Sequence, residues 1–225
     1  MDYKNKSIPQ NKRCVIVGAA DIKNTDFIKS CLNENDYFIF CDGGLRHAPL
    51  LGVSPDLAVG DFDSYPKIPN NAETIVLPCE KDDTDTNYAV KEGLYRGFSD
   101  FLLIGVTGLR MDHTIANVSI LLKLHALGKK AVIIDDYSQM EIAGKNPMYI
   151  EEKYPYFSLL NICGTARGIT IKDAKYPLEN GEITCEYQYG ISNEVLPGKT
   201  ACVTVNEGNL LLIKIFEDDK NQPRL

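Results

Sequence analysis

The sequence predicts an α/β fold in two parts: an N-terminal, mainly parallel sheet with flanking helices, followed by a C-terminal all-β sandwich. Three observations carry this expectation. Between residues 14 and 135, six short apolar runs alternate with amphipathic stretches, as expected of strands buried on both faces and linked by helical crossovers. Beyond about residue 138 the segments become short and often alternating, separated by Gly, Pro and Asn at a spacing of roughly 8–12 residues that signals antiparallel strands. Acid usage shifts at the same place, with 15 of 18 Asp before residue 141 and 9 of 13 Glu from 141 onward. Asp is the short carboxylate favoured in turns and metal sites, so the expected catalytic domain is 1–138 and the expected sandwich domain is 139–225.

The six apolar runs are CVIVG (14–18), YFIFC (37–41), DLAVG (56–60), ETIVL (73–77), FLLIG (101–105) and AVIID (131–135). The stretch from Thr84 to Phe98 places Val90, Leu94 and Phe98 at helical spacing. That from Asp112 to Leu127 predicts a helix with Ile115, Val118, Leu122 and His125 on its inner face and Gly128 as its stop. In the second part, MEIAG, MYIEE, YFSLLNI, GITIKD, EITCEYQY, TACVTVNEG and LLLIKIFED supply the sandwich strands.

With 225 residues, 44% hydrophobic and 24% charged, the chain has the composition of an ordinary globular protein. A net charge of −7 argues against a nucleic-acid partner or an anionic membrane surface, both of which favour basic patches. The seven cysteines are odd in number and contain no C-x-x-C pair, which points to reduced thiols. Neither a secretory signal pattern nor an apolar run approaching the ~18 residues of a membrane span is found, so a cytoplasmic location is expected.

Four clusters hold candidate chemistry. Asp42-Gly43-Gly44 follows a strand and precedes a helical pattern from Leu45, where a glycine turn lets backbone approach an anion; a capped tight turn explains the same residues. In Gly60-Asp61-Phe62-Asp63-Ser64, an extended backbone would aim Asp61 and Asp63 to one side while Phe62 faces the core. Converging carboxylates favour Mg²⁺, although a solvated acidic turn is the plainer alternative. Asp82-Asp83-Thr84-Asp85 opens the next helix, with Thr84 or Asp83 as its cap. Last, the 105–113 loop combines Thr107, Gly108, Arg110, Asp112 and His113 in a phosphate receptor, with Asp112 as helix cap and His113 as a ligand hydrogen-bonder. Ligands of open α/β sheets bind beyond the carboxyl ends of the strands, where Asp42, Asp61, Asp63 and Asp85 would all lie. His125 reads as a core or groove histidine, and His47 has no supporting pattern.

CDGG, GDFDS, KDDTDTNYAV, TGLRMDHTIAN and, far downstream, GISNEV occur in an order that resembles the thiamine pyrophosphokinase family, over Cys41 to Gly198. The resemblance implies an α/β domain followed by a β-sandwich, a homodimer with thiamine near the subunit interface, and transfer of the β,γ-pyrophosphoryl unit of ATP to the thiamine hydroxyl with AMP as the leaving product. It assigns Asp61, Asp63 and Asp85 to Mg²⁺ or to the hydroxyl. Asp42, Gly43 and Gly44 fall on the nucleotide-side turn, and Arg110 on the phosphates. Thr84, Thr107, Gly108, Asp112 and His113 complete the expected nucleotide contacts. Ser192 and Asn193 match the pair that holds the aminopyrimidine. Where some members place an aromatic residue after that pair, this chain has Val195 and Leu196, and it contains no Trp. Two other readings use the same residues: a non-catalytic thiamine or nucleotide sensor, and a Mg²⁺-dependent phosphohydrolase.

Overall fold

A computed structural model describes residues 12–63, 72–80, 82–108 and 110–216. These divide into two compact units between Asp136 and Tyr137.

The first unit is built on six parallel strands. They are β1 (Cys14–Val17), β2 (Tyr37–Cys41), β3 (Leu57–Gly60), β4 (Glu73–Val76), β5 (Asp100–Ile104) and β6 (Lys130–Ile134), in the order β6-β5-β1-β2-β3-β4. All four residues of β1 and of β3 are buried, which is why these strands read as continuous apolar runs without alternation. The chain moves outward from β1 to β4 and then returns to the other side of β1 to lay down β5 and β6. The order therefore reverses between β1 and β5, the position where open parallel sheets form a ligand crevice at their carboxyl edge.

Helices α1 (Thr25–Ser30), α2 (Ala48–Leu51), α3 (Asp85–Tyr95) and α4 (Met111–Ala126), with a 3-10 helix at Asp42–His47, link the strands. Helix α3 packs on β1, β2 and β3, and α4 on β6 and α3. Gly93 permits the close approach of α3: a Cβ there would lie 2.8 Å from the Phe101 ring and 3.2 Å from the Cys14 sulfur. The buried face of α4 differs from the expected one. Asn117, Ile120, Leu121 and Leu124 point inward, whereas Ile115 is 62% exposed. The helix carries two apolar stripes, and the inner one includes a polar residue whose amide nitrogen donates to the Val106 carbonyl at 2.7 Å. That buried hydrogen bond makes an asparagine a good inward residue despite its polarity.

The second unit is a sandwich of two antiparallel sheets. One has the order β12 (Gly190–Asn193), β9 (Tyr156–Leu160), β14 (Leu210–Ile215), β7 (Ser138–Ala143), and the other β11 (Leu178–Thr184), β10 (Thr165–Lys172), β13 (Thr200–Thr204), β8 (Met148–Glu151). Phe157, Leu159, Leu210 and Leu212 from the first sheet meet Ile150, Ile169, Ile183 and Val203 from the second in one core. Among the described residues no helix is long and apolar enough to cross a membrane. All seven cysteines are free.

Candidate active site

Because the six strands are parallel, the loops after them gather at one edge of the sheet. Two glycines set the spacing there. A Cβ at Gly44 would lie 2.4 Å from the Val17 carbonyl oxygen, so only glycine lets the turn after β2 rest on the end of β1. A Cβ at Gly60 would lie 2.8 Å from the Asp42 Cβ, so the bare end of β3 makes room for Asp42. Asp42 thereby joins Asp61 and Asp63, and the three offer carboxylate oxygens that all lie within 4.8 Å of one another.

Asp61 and Asp63 do not converge through strand alternation. Strand β3 ends at Gly60, and Phe62 has a left-handed backbone with φ of +59°. Its ring is still buried, as expected. A bulky residue at positive φ costs of order 1–3 kcal/mol, so the surrounding structure holds this kink against a local preference for extension. The turn folds Asp63 back so that its amide donates to Asp61 Oδ1 at 3.4 Å. Asp42 also has a positive φ, +36°, at the start of the 3-10 helix.

Asp85 stands at the first position of α3 and is not a member of the group of three. Its charge nevertheless acts on the Cys41 thiol next to Asp42, which burial, then Asp85, pushes up. Of the two expected caps of α3, Thr84 takes the role, with Oγ1 accepting the Asn87 amide at 3.2 Å. Asp83 instead accepts from Asn87 Nδ2 and Lys91 Nζ, and the Lys91 ammonium holds its carboxyl below the usual range. Asp82, Asp83, Thr84 and Asn87 line a cleft of about 270 Å³ whose other wall is α4, including Lys123.

In the loop after β5, Arg110 grips Asp112 through two bonds, Nε to Oδ1 at 3.0 Å and Nη2 to Oδ2 at 2.7 Å, both side chains lying largely in solvent. The guanidinium holds the Asp112 carboxyl far below its ordinary value. Asp112 is thus engaged by Arg110 and does not cap α4, whose N-cap position is the Arg110 backbone with no side-chain cap. The loop is closed instead by Thr114 Oγ1, which accepts the Gly108 amide at 3.1 Å. Thr107 donates to Asp135 Oδ2 at 3.0 Å. His113 lies exposed in the first turn of α4.

Several residues of this edge were not expected to take part. The loop after β1, from Gly18 to Asn24, touches the β5 loop backbone to backbone: Gly18 N donates to Ile104 O at 2.9 Å and Ala20 N to Gly105 O at 2.8 Å. His47 is buried and its Nε2 meets the Ala20 carbonyl at 2.9 Å, so this nitrogen carries the proton, and burial pulls the imidazole pKa down. Arg46 reaches the Ala19 carbonyl and Asp21 Oδ1, each at 2.6 Å. The signal for this loop in the sequence is only Gly18 after an apolar run.

In the second unit, β12 breaks register with β9 between Gly190 and Asn193. Ser192 is exposed at φ of +56°, with its amide donating to Ser158 Oγ at 3.1 Å. Asn193 is 4% exposed, and its amide group clips a neighbouring segment: Oδ1 accepts Tyr176 N at 3.0 Å and Glu194 N at 2.9 Å, while Nδ2 donates to Tyr176 O at 2.8 Å. Its side chain braces the backbone that presents Ser192.

The chain resembles known proteins over most of its length. The family profile described as "Thiamin pyrophosphokinase, catalytic domain" matches residues 28–133, and that described as "Thiamin pyrophosphokinase, vitamin B1 binding domain" matches residues 147–210. The thiamine pyrophosphokinase of Bacillus subtilis (strain 168) is 29% identical over 190 residues, 81% of this chain and 88% of that protein. The crystal structure of thiamine pyrophosphokinase from Bacillus subtilis superimposes with a TM-score of 0.80 at 23% identity, covering 92% of this chain and 100% of the other. That of the enzyme from Geobacillus thermodenitrificans gives 0.77 at 25% identity, over 92% and 99%. The yeast enzyme shares the fold at 0.73 and 17% identity, over 96% and 90%.

Proposed function

The chain belongs to the thiamine pyrophosphokinase family, and from that premise we propose how its own residues transfer the β,γ-pyrophosphoryl group of ATP to the hydroxyl of thiamine, giving thiamine diphosphate and AMP. The observation that carries the reading is the convergence of Asp42, Asp61 and Asp63 at the carboxyl edge of the sheet, whose strand order reverses between β1 and β5.

Three carboxylate oxygens within 4.8 Å form a hard, all-oxygen donor set, which fits Mg²⁺. Asp42, Asp61 and Asp63 would hold the ion, which supplies neutralisation of phosphate charge when bound. Displacement at phosphorus asks the protein mainly for alignment and charge stabilisation. The loops after β1 and β5 form the nucleotide crevice, bringing Thr107, Gly108 and His113 to its rim, with Gly43 and Gly44 beneath the adjoining turn. Arg110 contributes a planar cation that exchanges Asp112 for phosphate oxygens. Asp85 or Asp63 accepts the proton leaving the thiamine hydroxyl. Ser192 in the vitamin B1 binding unit meets the aminopyrimidine, braced by Asn193. The protein acts as a homodimer in the cytoplasm, where the seven free thiols stay reduced.

Product analysis tests the reading. Purified protein with ATP, Mg²⁺ and thiamine is expected to form AMP one-for-one with thiamine diphosphate. Thiamine-independent ADP or phosphate would replace this reading with hydrolysis.

A further inference from the structure

The loop Gly18 to Asn24 has no regular secondary structure, yet it is tied to three neighbouring elements. Its amides bond the end of β5, its carbonyls bond Arg46 and His47, and its last two amides bond Asp136. Asp136 Oδ1 accepts Asn24 N at 2.8 Å and Lys23 N at 3.1 Å, and Oδ2 accepts Lys23 N at 3.0 Å. Charge-assisted bonds of this kind are roughly twice as strong as neutral ones. Strand β5 lies between β1 and β6, so the contact spans the carboxyl end of β5, while the preceding residue, Asp135, takes the Thr107 hydroxyl from the β5 loop itself. The two acids that follow β6 thus hold the β5 loop and the loop after β1.

We propose that Asp136 is a positioning residue for the nucleotide: it fixes the Gly18–Asn24 loop as a preformed wall of the ATP crevice. The inference rests on the functional reading above, in which the β1/β5 crevice takes the nucleotide. It also separates Asp136 from the acids of the catalytic group, because its carboxylate serves backbone amides. A purely structural role, as an anion near the start of the short helix α1, would lower stability without distinguishing the two substrates.

Two measurements test it. Amide hydrogen exchange on the unaltered protein, with and without ATP and Mg²⁺, is expected to slow over residues 19–24 when nucleotide is present; no change there overturns the proposal, and this arm needs no variant to fold. In steady-state kinetics, Asp136→Asn is expected to raise the ATP KM by roughly tenfold, the scale of one charge-assisted bond, while shifting the thiamine KM by less than about twofold. Asp136→Glu is expected to recover part of the loss. Equal shifts in both KM values, or none, overturn the proposal. Absence of AMP formation by the unaltered protein would instead remove the functional reading, while exchange slowed by ATP and Mg²⁺ over residues 19–24 would still show nucleotide at this loop.

Discussion

The two edges of the parallel sheet group their acids differently. At the amino edge, acids stand against cations. Arg13 bonds Asp36 at 2.6 Å and the Cys31 carbonyl at 2.8 Å. Arg96 takes both oxygens of Glu73, at 2.5 and 3.0 Å, and reaches Glu92 at 2.8 Å and the Tyr37 hydroxyl at 2.9 Å. Burial pushes that hydroxyl up to about 12, so it accepts from the guanidinium as a neutral phenol. Lys130 meets Asp100 at 3.1 Å. At the carboxyl edge, besides the pairs Arg46–Asp21 and Arg110–Asp112, three acids, Asp42, Asp61 and Asp63, are brought towards one another, and Asp42 and Phe62 have positive φ. The amino edge sets single acids against cations, whereas the carboxyl edge also gathers three acids on a strained backbone where a ligand of opposite charge would bind.

The largest expected effect breaks the carboxyl edge. Asp61→Asn or Asp63→Asn should lower AMP formation by about 10²- to 10³-fold, the scale seen for removal of one electrostatic transition-state contact, with thermal unfolding little changed. Next, Arg96→Met should leave Glu73, Glu92 and the Tyr37 hydroxyl without their shared cation and cost roughly 2–3 kcal/mol in urea unfolding, with both KM values retained. A loss of activity from the Arg96 variant at a temperature where it is folded would erase the distinction between the edges. In the second unit, Asn193→Ala should cost about 1–3 kcal/mol, because the Tyr176 backbone groups lose their partner, and should raise the thiamine KM.

The smallest effect concerns pH. Burial lowers the His47 pKa below its unfolded value, so the fold favours the neutral ring. The stabilisation is complete above the unfolded pKa of about 6.5 and is lost as pH falls from there towards the lower folded value. His47→Gln should therefore flatten the acid side of the stability profile just below pH 6.5, measured by Tm against pH; an unchanged slope would show that another group controls it.

How much of this was legible in the sequence follows from what each feature depends on. The six parallel strands could be read because burial on both faces leaves uninterrupted apolar runs, and the GDFDS and KDDTD segments because acids cluster there. The partnership of Asp42 with Asp61 and Asp63 could not, since it depends on the missing Cβ of Gly60 and on a left-handed Phe62, both properties of packing. The inner face of α4 was obscured because Asn117 points inward to bond a carbonyl, and a polar residue interrupts the stripe that periodicity seeks. The Gly18–Asn24 loop was hidden because, apart from the Arg46–Asp21 pair, the bonds that tie it to its neighbours run through its backbone atoms, which every residue has. Asn193 stood out by motif, but its bonds to Tyr176 give it a bracing role that no local pattern encodes.

If the acids of the carboxyl edge form a cation site, thermal unfolding depends on Mg²⁺ through them. The unaltered protein should gain stability as Mg²⁺ rises, by about 2.7 kcal/mol at a hundred times the dissociation constant, and the Asp61→Asn/Asp63→Asn double variant should gain little. An identical Mg²⁺ response in both proteins would show that these acids hold no cation.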